Sequence, residues 1–244
     1  MYDIFIFRGH GNGDVGATDG VNTEVAIAQK IVDGVVSKLK SKGVSVHTNS
    51  YSENNYQNCI LKSYKYKYGY SIHMNSAASS ASGIECFVPL QEKYLDNEFI
   101  MLSKLSSLLN IPNRGVKSRN YNTGQTCLRQ NGAANVGLDY YKEIRDAWNK
   151  GISLTILEVG FINSNDDDKI LKNLDKVTTI IANVILKDLD KEEITNSEPI
   201  QNNNSTGSEN LYQVVAGVYK SRENAEKQIQ LLKNKGIHAF LQIR

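Results

Sequence analysis

The feature that most constrains the fold is an alternation of short apolar runs with longer stretches of helical periodicity. The apolar runs predict strands at residues 2–7, 44–48, 69–74, 83–89 and 152–159. Between them, apolar residues recur at helical spacing and predict helices at residues 22–42, 95–109 and 167–189. Strands that alternate with helices of this length indicate an α/β fold, with a mostly parallel, twisted sheet flanked by helices.

One segment, residues 138–148 (LDYYKEIRDAW), follows neither pattern clearly. Its apolar and aromatic residues are compatible with an edge strand and with a short helix, and periodicity does not decide between them. On the residues alone, both alternatives stay open.

The C-terminal part of the chain differs in composition. Residues 191–210 are rich in Asn and Ser, so they predict a flexible linker between a domain at residues 1–190 and a module at residues 211–244. The module's pattern predicts a β-α-β unit, with its strands and helix at residues 212–218, 221–235 and 237–243. A unit this short has a thin core, so we expect a second copy or the main domain to complete it.

Composition argues against several classes of protein. The net charge is only +2, from 28 basic and 26 acidic residues, which gives no indication of nucleic-acid binding. No apolar run approaches the length of about 18 residues that a membrane span needs. The first residues, MYDIFIFRGHG, lack the features of a secretory signal, so we expect the protein to be cytoplasmic at synthesis. The cysteines, Cys59, Cys86 and Cys127, are far apart and predict free thiols.

Two of the four histidines stand at the ends of predicted strands. His10 follows the first strand and His73 ends the third. Ligand sites in open parallel sheets gather at the carboxyl ends of strands, so we expect the two imidazoles at one edge of the sheet. Glu24 begins the helix after the His10 loop and is the natural third ligand. Two histidines and one carboxylate form a recurrent catalytic zinc set, so the pattern predicts a Zn2+ site.

A water activated by a metal also needs a base, and Glu158 is the candidate. It ends the apolar strand ISLTILE, where a carboxylate is costly unless it is paired or used in chemistry. Gly160 would let a substrate backbone approach closely. Taken singly, each site residue has an ordinary explanation: a structural histidine, a first-turn carboxylate or a strand-end ion pair. The prediction depends on their combination.

The loop after the first strand also contains a rival motif. Gly11, Gly13 and Gly16 match the dinucleotide-binding pattern G-x-G-x-x-G. In that fold the helix begins within the motif, whereas here residues 17–21 intervene before helical periodicity starts. The second predicted strand ends in HTNS, without the acidic residue that binds ribose. We therefore expect no dinucleotide site.

Four motifs, in order along residues 2–189, resemble the N-acetylmuramoyl-L-alanine amidase family Amidase_3. GHGNGDVGA resembles the family's loop after the first strand, and Glu24 matches the glutamate that heads its first helix. SIHMN matches its Ser-Ile-His-x-Asn motif, and EVGF begins its Glu-x-Gly-Phe-x-x-Asn motif. The final Asn of that motif is matched by Asn165, one position late, or by Asn163 directly after Ile162. The resemblance also favours a strand ending in Arg145, at residues 140–145, for the undecided segment.

The resemblance implies three zinc ligands, one catalytic carboxylate and one substrate-binding amide: His10, Glu24 and His73, then Glu158, then Asn75. It implies hydrolysis of the amide bond between N-acetylmuramic acid and L-alanine in peptidoglycan. Zinc would polarise the scissile carbonyl and lower the pKa of bound water. Glu158 would take the water proton and pass it to the leaving amine.

The C-terminal module resembles one half of a SPOR (sporulation-related) domain, a peptidoglycan-binding unit built from two β-α-β halves. Either a homodimer forms through this half module or the module has a different role. A cell-wall hydrolase without a secretory signal is expected to be a phage endolysin or a sporulation autolysin that reaches the cell wall through holin pores or lysis. Two alternatives stay open: a catalytically silent peptidoglycan-binding protein, and a zinc peptidase acting on another amide bond.

Overall fold

Seven strands form one sheet within the described residues. They are β1 (Ile4–Arg8), β2 (Val46–His47), β3 (Tyr68–Asn75), β4 (Ile84–Phe87), β5 (Asn113–Arg119), β6 (Thr126–Leu128) and β7 (Ser153–Phe161). Their order in the sheet is β2-β1-β3-β7-β4-β5-β6. Four neighbouring pairs are parallel, and only β4 with β7 and β5 with β6 are antiparallel. The prediction of a mostly parallel α/β fold is confirmed.

The computed structural model describes residues 1–48, 65, 67–77, 81–191, 193 and 194. The chain divides into two units, Met1–Asn196 and Ser197–Arg244, and all of the described residues belong to the first. The module predicted at residues 211–244 lies outside the described residues. So does the linker predicted at 191–210, apart from residues 191, 193 and 194, and both therefore stay predictions.

Five helices pack on the sheet in this part of the chain: α1 (Glu24–Ser41), α2 (Asp96–Leu109), α3 (Lys142–Trp148), α4 (Asp166–Lys172) and α5 (Leu174–Asp188). The larger apolar core lies on one face of the sheet and combines α1, α2 and α5 with every second residue of the central strands. Ile31, Leu105 and Ile181 represent the helices in this core, and Ile72 and Leu157 represent the strands. These amphipathic helices face the sheet with the apolar stripe that the sequence predicts.

The opposite face of the sheet carries smaller apolar clusters and the short helix α3. Ala147 packs in one cluster with Leu154 of β7, and Ile144 packs in another with Ile156. This face also presents Glu158, two residues beyond Ile156, because side chains along a strand alternate between the two faces. Helix α3 therefore packs on the same face as Glu158.

The structure corrects two sequence-based predictions. Residues 140–145 do not form a strand, because helix α3 occupies Lys142–Trp148 and buries Ile144 and Ala147, three positions apart, on one side. The single helix predicted at residues 167–189 is two helices separated at Asn173. There the backbone leaves helical geometry (φ −113°, ψ 19°), and the Asn173 side chain donates to the carbonyl of Lys169.

Two compositional predictions can be compared with the described residues. No helix in this part of the chain combines the length and apolar character that a bilayer crossing requires. Cys86 and Cys127 are free thiols, as expected, and Cys59 lies outside the described residues.

Candidate active site

The carboxyl ends of β1, β3 and β7 lie side by side and bring the predicted metal ligands together. His10 lies in the loop after β1, His73 lies near the end of β3, and Glu24 begins α1. One ligand atom from each of the three side chains lies within 4.8 Å of the other two. Among the described residues this is the only His, Cys, Asp or Glu cluster with such spacing. Three side chains this close can bind one metal ion.

The Glu24 carboxylate connects the two imidazoles. Its Oε2 lies 3.2 Å from Nε2 of His10, and its Oε1 lies 2.9 Å from Nδ1 of His73. The backbone N–H groups of Ala17 and Met74 donate to the same carboxylate, at 3.0 and 3.2 Å. Because Glu24 is only 4% exposed, these contacts hold it in one orientation between the histidines.

Glu24 and each of the two histidines stabilise one another's charged forms. The hydrogen bond with Glu24 raises the pKa of His10 to about 8, although burial acts in the opposite direction. Burial tends to raise the pKa of Glu24, but hydrogen bonds with His10 and His73 outweigh it and hold that pKa well below its usual range. Glu24 is therefore an ionised carboxylate, the form that binds a metal cation.

The glycine-rich loop allows this close approach. A Cβ on Gly9 would overlap the imidazole of His73. Gly16 has φ +67°, and a Cβ there would lie 2.6 Å from Oε2 of Glu24. His10 itself has a left-handed backbone (φ 57°), and its Nδ1 lies 2.8 Å from Oδ2 of Asp14. The glycines therefore accommodate the His–Glu–His cluster, and α1 begins only at Glu24, which argues further against a dinucleotide loop.

Glu158 lies between β3 and β4 and next to the cluster. It is the register partner of His73 on β3 and of Glu85 on β4. Its Oε2 is buried and has no hydrogen-bond partner among the described residues. Burial raises the pKa of Glu158 to about 7; His73 lowers this pKa, and Glu24, Glu85 and Glu143 raise it further. A carboxyl group that titrates near neutrality can both accept and release a proton.

Asn75 contacts a carboxylate at the end of β3. Its Nδ2 donates to Oε1 of Glu85 at 3.0 Å, and its Oδ1 accepts from the backbone N–H of Ser76 at 2.8 Å. Glu85 also receives Nε of Arg114 at 2.5 Å and Nζ of Lys117 at 2.7 Å. The Asn75 amide is thus part of a polar network beside Glu158, and its role in substrate binding stays a prediction.

The structure shows two residues beside His73 for which the sequence predicted no role. Ser71 Oγ lies 3.0 Å from Nε2 of His73, and Oε1 of Glu143 lies 3.6 Å from the same nitrogen. Ser71 precedes His73 by two residues, so strand periodicity could have indicated it. Glu143 belongs to α3 and could be placed only once that segment was known to be a helix.

The expected role of Gly160 is different in the structure. A Cβ at this position would lie 2.8 Å from Cβ of Asp166 and 3.1 Å from Cδ1 of Ile170. The Asp166 carboxylate also accepts from the backbone N–H groups of Phe161 and Gly83. The glycine therefore makes room for α4 inside the protein, and it does not open space for a substrate backbone.

Comparisons with known proteins agree with this architecture. One similar solved structure is Cwp6 from Clostridium difficile, at 22% identity and a TM-score of 0.58. A second is the catalytic domain of CwlV, N-acetylmuramoyl-L-alanine amidase from Bacillus (Paenibacillus) polymyxa var. colistinus, at 19% and 0.56. A third is the N-acetylmuramoyl-L-alanine amidase AmiC2 of Nostoc punctiforme, at 20% and 0.55. The matches cover 78%, 78% and 77% of this chain, and 29%, 99% and 97% of the respective relatives. At these identities the likeness shows a shared fold. A search among curated proteins returned no match.

The family comparison covers most of the chain. Residues 4–189 match the model of the family Amidase_3, described as N-acetylmuramoyl-L-alanine amidase. The matched range contains the whole sheet, the His–Glu–His cluster and Glu158. The chain therefore belongs to the Amidase_3 family and is an enzyme of the N-acetylmuramoyl-L-alanine amidase class.

Proposed function

We propose that the protein hydrolyses the amide bond between N-acetylmuramic acid and L-alanine in peptidoglycan, with zinc bound by His10, Glu24 and His73. The observation that carries this proposal is the cluster of these three side chains, with ligand atoms within 4.8 Å of one another, next to Glu158. Family membership supports peptidoglycan amidase activity, and the cluster supports the metal and the bond-breaking chemistry.

The donor set fits zinc. Two imidazole nitrogens and one carboxylate oxygen match a catalytic zinc site, in which a fourth position serves water or substrate. The surroundings favour a cation as well, because Glu143 and Glu158 add two further carboxyl groups around His73. When bound, zinc supplies Lewis-acid polarisation of the scissile carbonyl and acidification of water.

Glu158 is the proton carrier in this proposal. Its buried Oε2 lacks a hydrogen-bond partner among the described residues, so that oxygen can accept the proton of the attacking water. The same carboxyl then gives the proton to the leaving amine of L-alanine, which departs as the free amino terminus of the stem peptide. In the metal-free protein burial raises the pKa of Glu158 to about 7, so this carboxyl group is less strongly committed to the ionised form than an exposed glutamate.

The test is hydrolysis of purified peptidoglycan by the full chain, with and without a chelator and after zinc is added back. We expect release of new amino-terminal alanine, its loss with the chelator and its recovery with zinc. New reducing sugar would contradict an amidase, and amino termini other than alanine would indicate a peptidase instead. Binding to the wall without any release would support the catalytically silent alternative.

A second proposal concerns residues 211–244 and rests on their sequence resemblance alone. We propose that this module binds peptidoglycan and pairs with a second copy of the chain, and that the enzyme meets the wall after release from the cytoplasm. Sedimentation velocity of the full chain over a range of concentrations tests the pairing. A monomer at every concentration would contradict it.

A further inference from the structure

We infer that Glu143, acting with Ser71, is a positioning residue that fixes the orientation, tautomer and charge environment of His73. Neither residue was assigned a role by the sequence motifs. The inference rests on the proposed function, because it takes His73 as a zinc ligand, and it adds a residue from α3 to a site otherwise built from strand ends and α1.

The imidazole of His73 has a different partner at each nitrogen. Nδ1 lies 2.9 Å from Oε1 of Glu24, on the side of the proposed metal site. Nε2 lies 3.0 Å from Oγ of Ser71 and 3.6 Å from Oε1 of Glu143. The Ser71 hydroxyl donates to Oε2 of Glu143 at 3.4 Å. Ser71 and Glu143 thus form a small polar network behind the ring.

The chemistry of imidazole gives this network a function. A neutral histidine that presents Nδ1 to a metal carries its proton on Nε2, and that buried N–H needs an acceptor. Ser71 can accept from Nε2 while its own hydroxyl donates to Glu143. A carboxylate behind a ligating histidine fixes the ring and makes the opposite nitrogen a stronger ligand.

Burial separates Glu143 from an ordinary carboxylate in the first turn of a helix. The side chains of His73 and Glu143 are only 16% and 15% exposed. Asp146 on the same helix is 27% exposed and instead pairs at 2.5 Å with Lys142, whose side chain is 62% exposed. A carboxylate that interacted only with the helix dipole would not be stable at this degree of burial, because the free energy of desolvation exceeds the favourable free energy of the dipole interaction.

The experiment compares zinc affinity in the full chain by competition with a chromophoric chelator. We expect Glu143→Gln to bind zinc roughly 10- to 100-fold more weakly than wild type, as when the partner behind a ligating histidine is lost. The matched control is Asp146→Asn, which removes the same charge from the same helix and should leave the affinity within about twofold of wild type. Equal affinity in Glu143→Gln and wild type would overturn the inference.

A second readout reports the ring itself. In protein labelled with 15N-histidine and loaded with zinc, we expect one His73 tautomer with a protonated Nε2 in wild type. In Glu143→Gln we expect a broadened Nε2–H signal in faster exchange with water. A change in folding stability alone would not produce this pattern, and an unchanged His73 spectrum in the variant would also overturn the inference.

Ser71→Ala provides the test if Glu143→Gln fails to fold, because it removes only the hydroxyl between the ring and Glu143. We expect a smaller loss of zinc affinity, and no loss would count against the network. If wild type hydrolyses peptidoglycan and both variants bind zinc normally, this inference alone fails. If wild type binds no zinc, the proposed function and this inference fail together.

Discussion

Two carboxyl groups, the buried Glu85 and the half-buried Glu158, lie side by side on β4 and β7, and the protein surrounds them in opposite ways. Glu85 is 4% exposed and accepts hydrogen bonds from Arg114, Lys117 and Asn75. Glu158, its register partner, has a buried Oε2 without a partner among the described residues. One carboxylate is thus neutralised and immobilised, and the other is left with an unused oxygen beside the histidine cluster.

The difference shows how one sheet separates a structural acid from a reactive one. A carboxyl oxygen that is buried without a partner, like Oε2 of Glu158, is costly, so its presence indicates a use in chemistry. The cations around Glu85 lie on the β5 side, away from β3, whereas the His–Glu–His cluster lies on the β3 side. Strand β7 lies between β3 and β4, so Glu158 lies between the His–Glu–His cluster and the cation pairs of Glu85.

The largest expected effect is the loss of proton transfer in Glu158→Gln. The amide keeps the size of the side chain but cannot accept the water proton, so we expect kcat to fall roughly 1,000-fold. Zinc content should stay equal to that of wild type, because Glu158 is not one of the three ligands. Peptidoglycan hydrolysis and metal analysis of the same preparation measure the two quantities. Near-normal turnover would remove Glu158 from the mechanism.

Glu98 is the matched control for that variant. It lies on α2, on the other side of β7, and is 3% exposed; Thr155 Oγ1 donates to it at 2.7 Å. Burial raises its pKa to about 7, as it does for Glu158. Because Glu98 lies in the main core and not at the site, Glu98→Gln should leave kcat within about twofold of wild type. A large loss in this control would mean that buried charge, and not proton transfer, limits turnover.

The next effect is on stability in the metal-free protein. The folded pKa of Glu98 and Glu158 is about 7 against an ordinary 4.5, so between these values the native state keeps protons that the unfolded chain has released. Stability is therefore lost as the pH rises through this window, and the loss is complete above the folded pKa. Between about pH 4 and pH 8, each Gln variant should gain roughly 1–3 kcal/mol in the free energy of unfolding relative to wild type.

Urea unfolding of the two variants and wild type at several pH values measures this gain. Glu85→Gln gives the contrast, because Arg114 and Lys117 then lose the negative charge that they pair with, and the protein should be destabilised at neutral pH. A pH-independent difference between wild type and Glu98→Gln would contradict the raised pKa. Stabilisation by Glu85→Gln would remove the contrast between the two neighbouring carboxyl groups.

The smallest expected effect comes from Lys117→Met. Removing this cation leaves the negative charge of Glu85 less compensated beside Glu158, and a stronger negative field raises the pKa of Glu158. We expect the acid limb of the kcat/KM profile to move to higher pH by roughly 0.3–1 unit. Lys172→Met is the control, because Lys172 is 74% exposed in a pair with Asp168. Equal shifts in both variants would indicate a general charge effect.

Much of the site could be anticipated from the sequence because its residues are tied to strand ends. An apolar run marks each strand, and a parallel sheet brings the carboxyl ends of its strands to one edge, so the sequence places His10, His73 and Glu158 at that edge. Their being direct neighbours follows from the strand order β1-β3-β7, which the structure shows. Glu24 follows because it starts the helix that the His10 loop leads into. Local patterns of apolar residues, and the short loop that connects His10 to Glu24, are sufficient to predict this part of the site.

Helix α3, the Glu143 position and the cation pairs of Glu85 depended on the tertiary structure. The segment that contains Glu143 has no decisive periodicity, and it becomes helical because Ile144 and Ala147 bury against β7. Arg114 and Lys117 reach Glu85 from β5, a polar strand that the apolar pattern does not mark. The sequence by itself determined the alternating strands and helices and the residues at their ends, since those depend on local periodicity. Only the tertiary structure decided which charges meet, because ion pairs and burial depend on contacts between residues far apart in the chain.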